Sequence, residues 1–435
     1  MTKDYTYGDI REAKYMDLAI IPVSDVSSQF CNYVIKLIEQ IENRKRARRA
    51  KDQSSFEYAS KLILGDLLIA RTKDNAGWLF RSVSKKNFYH SEIKGDTFNL
   101  IVRLLEALDY LQVIKGSNHS NAFAQSEDNR YVPGLATRFK ASDKLLSLWQ
   151  DTGYETIDLK DHFKKKPRLN EIQLKSASSR YQKQKIKGKN LRVEKTTQTQ
   201  AIKLRLFNIN KYILKQNFEG MEFYGLRRLY NEGDHPSFNW NLGGRLYGVG
   251  ENNYQRLKKE QRSKIKINGE AVVELDINAS YLRILHSLRD FSIPDAEDIY
   301  AIEGIDRRIV KSWISSTLGH TGFHRAWPSR SIEEFEKANV QKPKKLTYPL
   351  VMKKVVEHLP VLSDWPQCGV RWSNLMFEES EAMISTMEAL REIDVVALPV
   401  HDSLIVPHSK AVIAHDILKE TFEKRFGVNF VIKGL

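Results

Sequence analysis

Ala271 to Leu288 reads AVVELDINASYLRILHSL, and its two halves have different periods. Val272, Val273 and Leu275 form a short β-rich run that delivers a carboxylate, Asp276, at its end. Leu282, Leu285 and Leu288 then recur at helical spacing. An acid at a strand end, just before a helix, is held rigidly and left open, which suits a metal-binding group. A second such acid stands far downstream in Val395 to Pro407, VVALPVHDSLIVP. Two β-rich runs flank His401-Asp402-Ser403, which predicts a tight hairpin with Asp402 at its tip. Two carboxylates on adjacent β-elements match two-metal phosphoryl transfer, in which ions about 3.5–4 Å apart clamp the attacking and leaving oxygens.

These stretches resemble a known family. Asp276-Ile-Asn-Ala-Ser-Tyr-Leu-Arg resembles motif A of family-A DNA polymerases, Asp-Tyr-Ser-Gln-Ile-Glu-Leu-Arg, with Leu282 and Arg283 in register. Val400-His401-Asp402 resembles their motif C, while the Ser that follows looks more like the phage-type single-subunit RNA polymerases on the same palm. Between them, Arg307-Arg-Ile-Val-Lys311 resembles the Arg-x-x-x-Lys of motif B. The three motifs stand in the family's order and span about the last half of the chain.

The resemblance implies roles. Asp276, Asp402 and the backbone carbonyl of Ile277 become metal ligands, for two magnesium ions with manganese able to substitute. Arg307 and Lys311, four apart on one helix face, meet the triphosphate, and Lys311 is a candidate proton donor to pyrophosphate. Tyr281 lies under the incoming sugar, where its bulk excludes a 2′-hydroxyl and favours deoxynucleotides. His401 contacts the primer end. Motif B departs from the family at Ser315 and Gly319, where aromatic residues are expected. Base stacking then falls to Trp313, Phe323 or His324. Upstream, Gly243-Gly244-Arg245-Leu-Tyr247 reads as a turn that lets backbone approach a ligand. Arg245, Tyr247 and Arg262 of the following basic stretch are assigned to nucleic acid. Asn268-Gly269 predicts a hairpin turn into motif A. This order looks like a group of compact bacterial and phage polymerase-like proteins. Glu378, Glu379 and Glu381 read as ordinary helix charges, with support of the metal ligands as the alternative.

Working outward, 435 residues predict two or three units, and 41% hydrophobic residues suffice for real cores. A formal net charge of +15, gathered in clusters, points to nucleic acid rather than membrane. The two cysteines, Cys31 and Cys368, exclude a zinc ribbon or disulfide scaffold and fit a reducing cytoplasm. The opening MTKDYTYGDI lacks an apolar core, so no export signal is expected, and no run reaches membrane-spanning length.

Residues 1–28 read as a loose arm. Residues 29–155 are expected to form a winged-helix-like domain: helices, then a strand, a polar loop (Gly116–Asn129) as wing, and a return strand carrying Arg138 and Lys140. Within it, Asn43–Lys51, NRKRARRAK, reads either as phosphate contact or as a solvated helix end. Residues 156–200 read as a basic linker, with Lys164, Lys165 and Lys166 tracking a nucleic-acid backbone. Residues 201–435 are the catalytic part. The expected fold is α+β, a right-hand polymerase palm with reduced fingers after a winged-helix-like domain. The expected function is a compact nucleotidyltransferase of a phage, plasmid or defence element, extending a 3′-hydroxyl with dNTPs. DNA is its expected primer or template, with RNA as the alternative. An RNA polymerase or primase on the same palm and a non-catalytic DNA-binding initiator or regulator remain open.

Overall fold

The computed structural model describes residues 10–72, 76–116, 135–181, 184–250, 253–294, 298–319, 326–338, 340, 347–365 and 367–435. The chain is mixed α+β and divides into two compact units, Met1–Pro167 and Arg168–Leu435. No helix among the described residues is long and apolar enough to cross a membrane.

The first unit runs β1 (Lys14–Tyr15), β2 (Ile20–Pro22), α1 (Asp25–Ile41), α2 (Ala50–Ala70), β3 (Leu79–Phe80), α3 (Gly95–Ala107), β4 (Leu111–Ile114), β5 (Arg138–Ala141), α4 (Asp143–Gln150), α5 (Leu159–His162) and β6 (Phe163–Lys165). Helix α1 starts where Ser24 accepts from the Ser27 amide and Ser27 returns the bond, a reciprocal cap. Phe30, Val34 and Ile38 then fall on one buried face. A four-stranded sheet has the order β1-β3-β5-β4. Of the loop expected as a wing, all but Gly116 lies outside the described residues.

Two expectations are corrected here. The described part of the arm is not loose: Met16 and Leu18 are buried, and Asp66 accepts the amides of Leu18, Ala19 and Ile20 at 2.6, 3.4 and 3.3 Å. Nor is 156–200 a linker. Its first part pairs β6 with β2, its second part enters the other unit, and the units divide at Pro167–Arg168. The lysines are satisfied within the first unit, which composition does not reveal. Lys164 donates to the Lys160 carbonyl at 2.6 Å, Lys165 pairs with Asp17 at 3.0 Å, and Lys166 pairs with Glu92 at 2.9 Å. Arg138 is likewise buried, donating to the carbonyls of Ile10 and Ala136, while Lys140 lies over the Trp78 ring.

The second unit begins with β7 (Ile172–Lys175), β8 (Ser179–Tyr181), β9 (Gln184–Ile186), β10 (Asn190–Leu191), α6 (Thr197–Ile213), β11 (Phe218–Glu219), β12 (Leu226–Tyr230) and β13 (Gly243–Gly248). It continues with α7 (Lys259–Arg262), β14 (Lys266–Ile267), β15 (Glu270–Ile277), α8 (Ser280–Leu288), α9 (Arg307–Leu318), α10 (Ser329–Lys337) and α11 (Tyr348–His358). It closes with α12 (Trp372–Glu392), β16 (Leu398–Val400), β17 (Ser403–Pro407), α13 (Ala411–Phe426) and β18 (Ile432–Lys433). Strands β11-β14-β15-β17-β16 form one sheet, with β18 also on β15, and β10-β7-β12-β13 form another. Helix α12 packs on β13, α13 and α8. The Asn268-Gly269 turn has φ of 53° and 84°, the left-handed pair a two-residue hairpin needs. Gly243 opens strand β13 rather than a turn. Its φ is 82°, and an added Cβ would lie 2.8 Å from the Asn231 amide nitrogen.

Candidate active site

Asp276 is the penultimate residue of β15 and Asp402 immediately precedes β17. Antiparallel pairing sets Ser403 opposite Asp276, which brings Asp402 beside Ile277, and the Ile277 amide donates to the Asp402 carbonyl at 3.1 Å. The charge of Asp402 acts on the Asp276 carboxyl, so the two acids lie within electrostatic reach of one another. His401 and Asp402 make the two-residue turn between β16 and β17, with His401 at φ 58°. Tyr254 and Gln255 hold this hairpin through the Pro399 carbonyl, at 2.8 and 2.7 Å. On the other side Arg283 is buried and donates to the carbonyls of Asn278 and Asn429, at 3.1 and 2.7 Å. Arg283 thus fixes the strand-to-helix turn.

Burial pushes the Asp276 carboxyl above its ordinary range and the charge of Asp402 pushes it further, while Lys311 and Lys259 oppose the rise. Solvent nonetheless reaches Asp276. Two acids that repel one another beside open solvent fit a divalent cation. Among the described residues no group of three or more His, Cys, Asp or Glu could hold a metal. An ion here would have two carboxylates and main-chain carbonyls as donors, hard oxygens that fit magnesium, which keeps waters and substrate oxygens in its shell.

Lys311 is exposed on α9, and Ser315 and Gly319 continue its exposed row. Arg307 is half-buried and held by an ion pair with Asp298, its guanidinium over the Tyr300 ring at 5.2 Å. Trp313 cannot stack on a base: it is 0% exposed, packed against Tyr348 in the core. Phe323 and His324 lie outside the described residues.

The three glutamates of α12 are not solvated helix charges. Glu378 pairs with Arg425 at 2.5 Å, and Glu381 takes Arg228 and Arg205. Glu379 is 1% exposed and pairs with Arg245 at 2.5 Å. Burial raises the Glu379 carboxyl, Arg245 counters the rise and Asp402 adds to it. The Arg245 guanidinium also lies over the Tyr281 ring at 5.5 Å. The Tyr281 hydroxyl is buried without a hydrogen-bond partner, and burial, followed by Glu379, raises its pKa. Tyr247 meets His401 edge to face at 6.3 Å. Burial lowers the His401 pKa, Arg245 lowers it further, and Asp402 opposes both.

Arg262 is occupied by a two-point pair with Glu274, at 3.0 and 2.8 Å, and Glu274 also accepts from Ser403 at 2.9 Å. It ties β15 to the start of β17. Arg138, Lys140, Lys164, Lys165 and Lys166 belong to the first unit. Sequence reasoning ranked Glu379 as a helix charge ahead of a supporting role, and missed Lys259. The first stands in a run of acids that spacing alone does not rank, and the second in a run of lysines.

No protein-family profile matches the chain. No curated protein matches it either. Among solved structures, the chain is similar to the POL domain of Pol1 from M. smegmatis in complex with DNA primer-template and dNTP. The likeness has 12% identity, a TM-score of 0.32, and covers 96% of this chain and 67% of that chain.

Proposed function

We propose that the second unit is a magnesium-dependent nucleotidyltransferase, a compact DNA polymerase that extends a 3′-hydroxyl with deoxynucleoside triphosphates. The observation that carries this reading is the β15–β17 pairing, which sets Asp276 and Asp402 side by side with Lys311 near enough to oppose their repulsion. When bound, magnesium lowers the pKa of the attacking hydroxyl and neutralises charge on the triphosphate and leaving pyrophosphate. Asp276 and Asp402 would hold the ions with the Ile277 carbonyl. Lys311, an exposed cation on the face of α9, receives the triphosphate charge. Tyr281, braced by Arg245 and Glu379, limits space at the sugar. Tyr247 and His401 line the primer side.

The strand order β3-β5-β4, with α3 between β3 and β4 in sequence, supports reading the first unit as a winged-helix-like nucleic-acid-binding module. The deciding experiment is one extension assay, with and without template, using both nucleotide sets, in magnesium and in chelator. Incorporation of deoxynucleotides only with metal is the expected result. Preference for ribonucleotides would move the assignment to an RNA polymerase or primase. No incorporation anywhere, with DNA binding intact in chelator, would make the protein a non-catalytic DNA binder.

A further inference from the structure

The basic stretch Asn43–Lys51 joins α1 to α2, and its charge suits neither helix end. Helix α1 stops at Ile41 with no basic residue in its last turn, so the cations do not complement its negative end. They run instead into the start of α2, where Arg49 is the cap residue without a side-chain cap bond and Lys51 lies in the first turn. That is the positive end of a 21-residue helix, which disfavours cations. A solvated helix end therefore does not account for this charge.

The loop is held in place by one of its own arginines. Arg48 turns inward, lies over the Phe56 ring at 3.6 Å, and pairs with Glu42 and, at 3.6 Å, with Glu39. Arg44 takes the other Glu42 oxygen at 3.2 Å. Gln53 donates to Glu39 and Glu57 at 2.6 and 2.8 Å. The glutamates around the loop are thus engaged, and exposed Asp52 alone faces exposed Lys45, Arg46, Arg49 and Lys51. Among the described residues none of those four cations makes an ion pair. Like charges fixed side by side repel, and an anion relieves them.

The flank on which the loop lies is also defined. Lys51 and Tyr58 are seven apart, so they share one face of α2 about 10 Å from one another. Tyr58 donates to Glu92, just before α3, and Lys166 donates to Tyr58 and Glu92 at 2.8 and 2.9 Å. The loop and the entry to α3 therefore lie along one flank of the first unit. Helix α3, which a winged helix sets in a groove, exposes Asp96 and Glu106 beside Arg103 and has no cationic excess of its own.

We infer that the α1–α2 loop, through Lys45, Arg46, Arg49 and Lys51, is the surface by which the first unit grips the phosphodiester backbone of DNA. The inference deepens the reading of that unit as a nucleic-acid-binding module and rests on it. A backbone fits better than a membrane because every exposed residue from Asn43 to Ser55 is polar, charged or alanine. Nothing there can insert among acyl chains. Contacts to phosphate alone carry no base information, so the grip is independent of sequence.

The test uses the full chain and a fluorescent duplex oligonucleotide, with a lysine-acetylation footprint on the wild type and a salt series on variants. The duplex should protect Lys45 and Lys51. Each phosphate contact contributes about 0.9 to the log–log slope on duplex DNA, so K45Q/R46Q/R49Q/K51Q should flatten it by about 3 to 4 and weaken binding roughly 100-fold at physiological salt. K45R/K51R, which keeps the charge, should retain the wild-type slope, and a lost slope there overturns the inference because charge would not be the cause. An unprotected loop, or an unchanged slope in the quadruple variant, also overturns it. Protection of Lys94 at the α3 entry would then leave the module reading standing, whereas no protected lysine anywhere in the first unit removes both. If vesicles of anionic phospholipid hold wild type but not the quadruple variant, while the duplex leaves the loop unprotected, the surface is a membrane contact and the inference falls.

Discussion

The main-chain amide of Ile277 donates to the carbonyl oxygen of Asp402 at 3.1 Å, so the end of β15 is bonded to the turn that carries the second acid. The carboxylates cannot drift apart without opening the sheet. Asp276→Asn or Asp402→Asn should abolish incorporation while leaving oligonucleotide affinity within about twofold, because the metal clamp is lost and the basic surface is not. Since Asp402 raises the pKa of Asp276, either change should leave metal-free thermal stability unchanged or higher. Near-wild-type extension by either variant would remove that residue from the site.

Tyr281 carries a prediction about sugar choice. Overlap of its ring with a 2′-hydroxyl should cost about 1–3 kcal/mol. That is roughly one to two decades of discrimination. Tyr281→Ala should raise ribonucleotide use far more than it lowers deoxynucleotide use in competing single-turnover assays. An unchanged ratio would leave Tyr281 as packing for Arg245.

Arg228 is 2% exposed and relies on Glu381 and the Gly244 carbonyl, the latter at 2.8 Å. Glu381→Ala strands this buried cation and should cost about 3–5 kcal/mol. Chemical denaturation of the full chain should show the second unit's transition moving to lower denaturant. A shift of less than about 1 kcal/mol would mean that Arg228 finds another partner.

Asp66 gives the first unit a pH dependence. Burial pushes its carboxyl up to about 6 from an ordinary 3.8, although the Leu18 amide pulls the other way. The folded state therefore holds a proton that the unfolded state releases. Its stabilisation is complete below about pH 4 and is lost as pH rises through about 6, a change of about 3 kcal/mol. Asp66→Asn should flatten that part of the stability profile, read by hydrogen exchange at Leu18, Ala19 and Ile20. A wild-type profile flat from pH 4 to 7 would refute it.

How much of this was legible follows from range. Local signals carried: the Asn268-Gly269 turn, the His401-Asp402 hairpin and the α8 helix after Asp276 all stand where spacing put them. Residues satisfied across long range did not carry. Lys165 finds Asp17, Arg262 finds Glu274 and Arg138 finds the Ile10 carbonyl, so cations that looked free are occupied. Glu379 is the reverse case. A helix charge became the buried partner of Arg245 because β13 packs on α12, a contact no local pattern encodes.

Strand β15 takes β17 on one edge and β18 on the other, with Asp276 opposite Ser403 and Lys433. Both partners come much later in the chain than β15 itself. Pairings between distant segments form slowly, because loop closure must precede the contacts that reward it. During synthesis the strand therefore leaves the ribosome paired with β14 only near Ala271, and its Asp276 end waits for β17 and β18 before the acids are set. The first unit, whose strand partners lie within Lys14–Lys165, has all of its strands made before β15 begins. Pulse-labelled nascent chains should gain protease resistance in the first unit well before any stalled just short of β18 resist cleavage around Asp276.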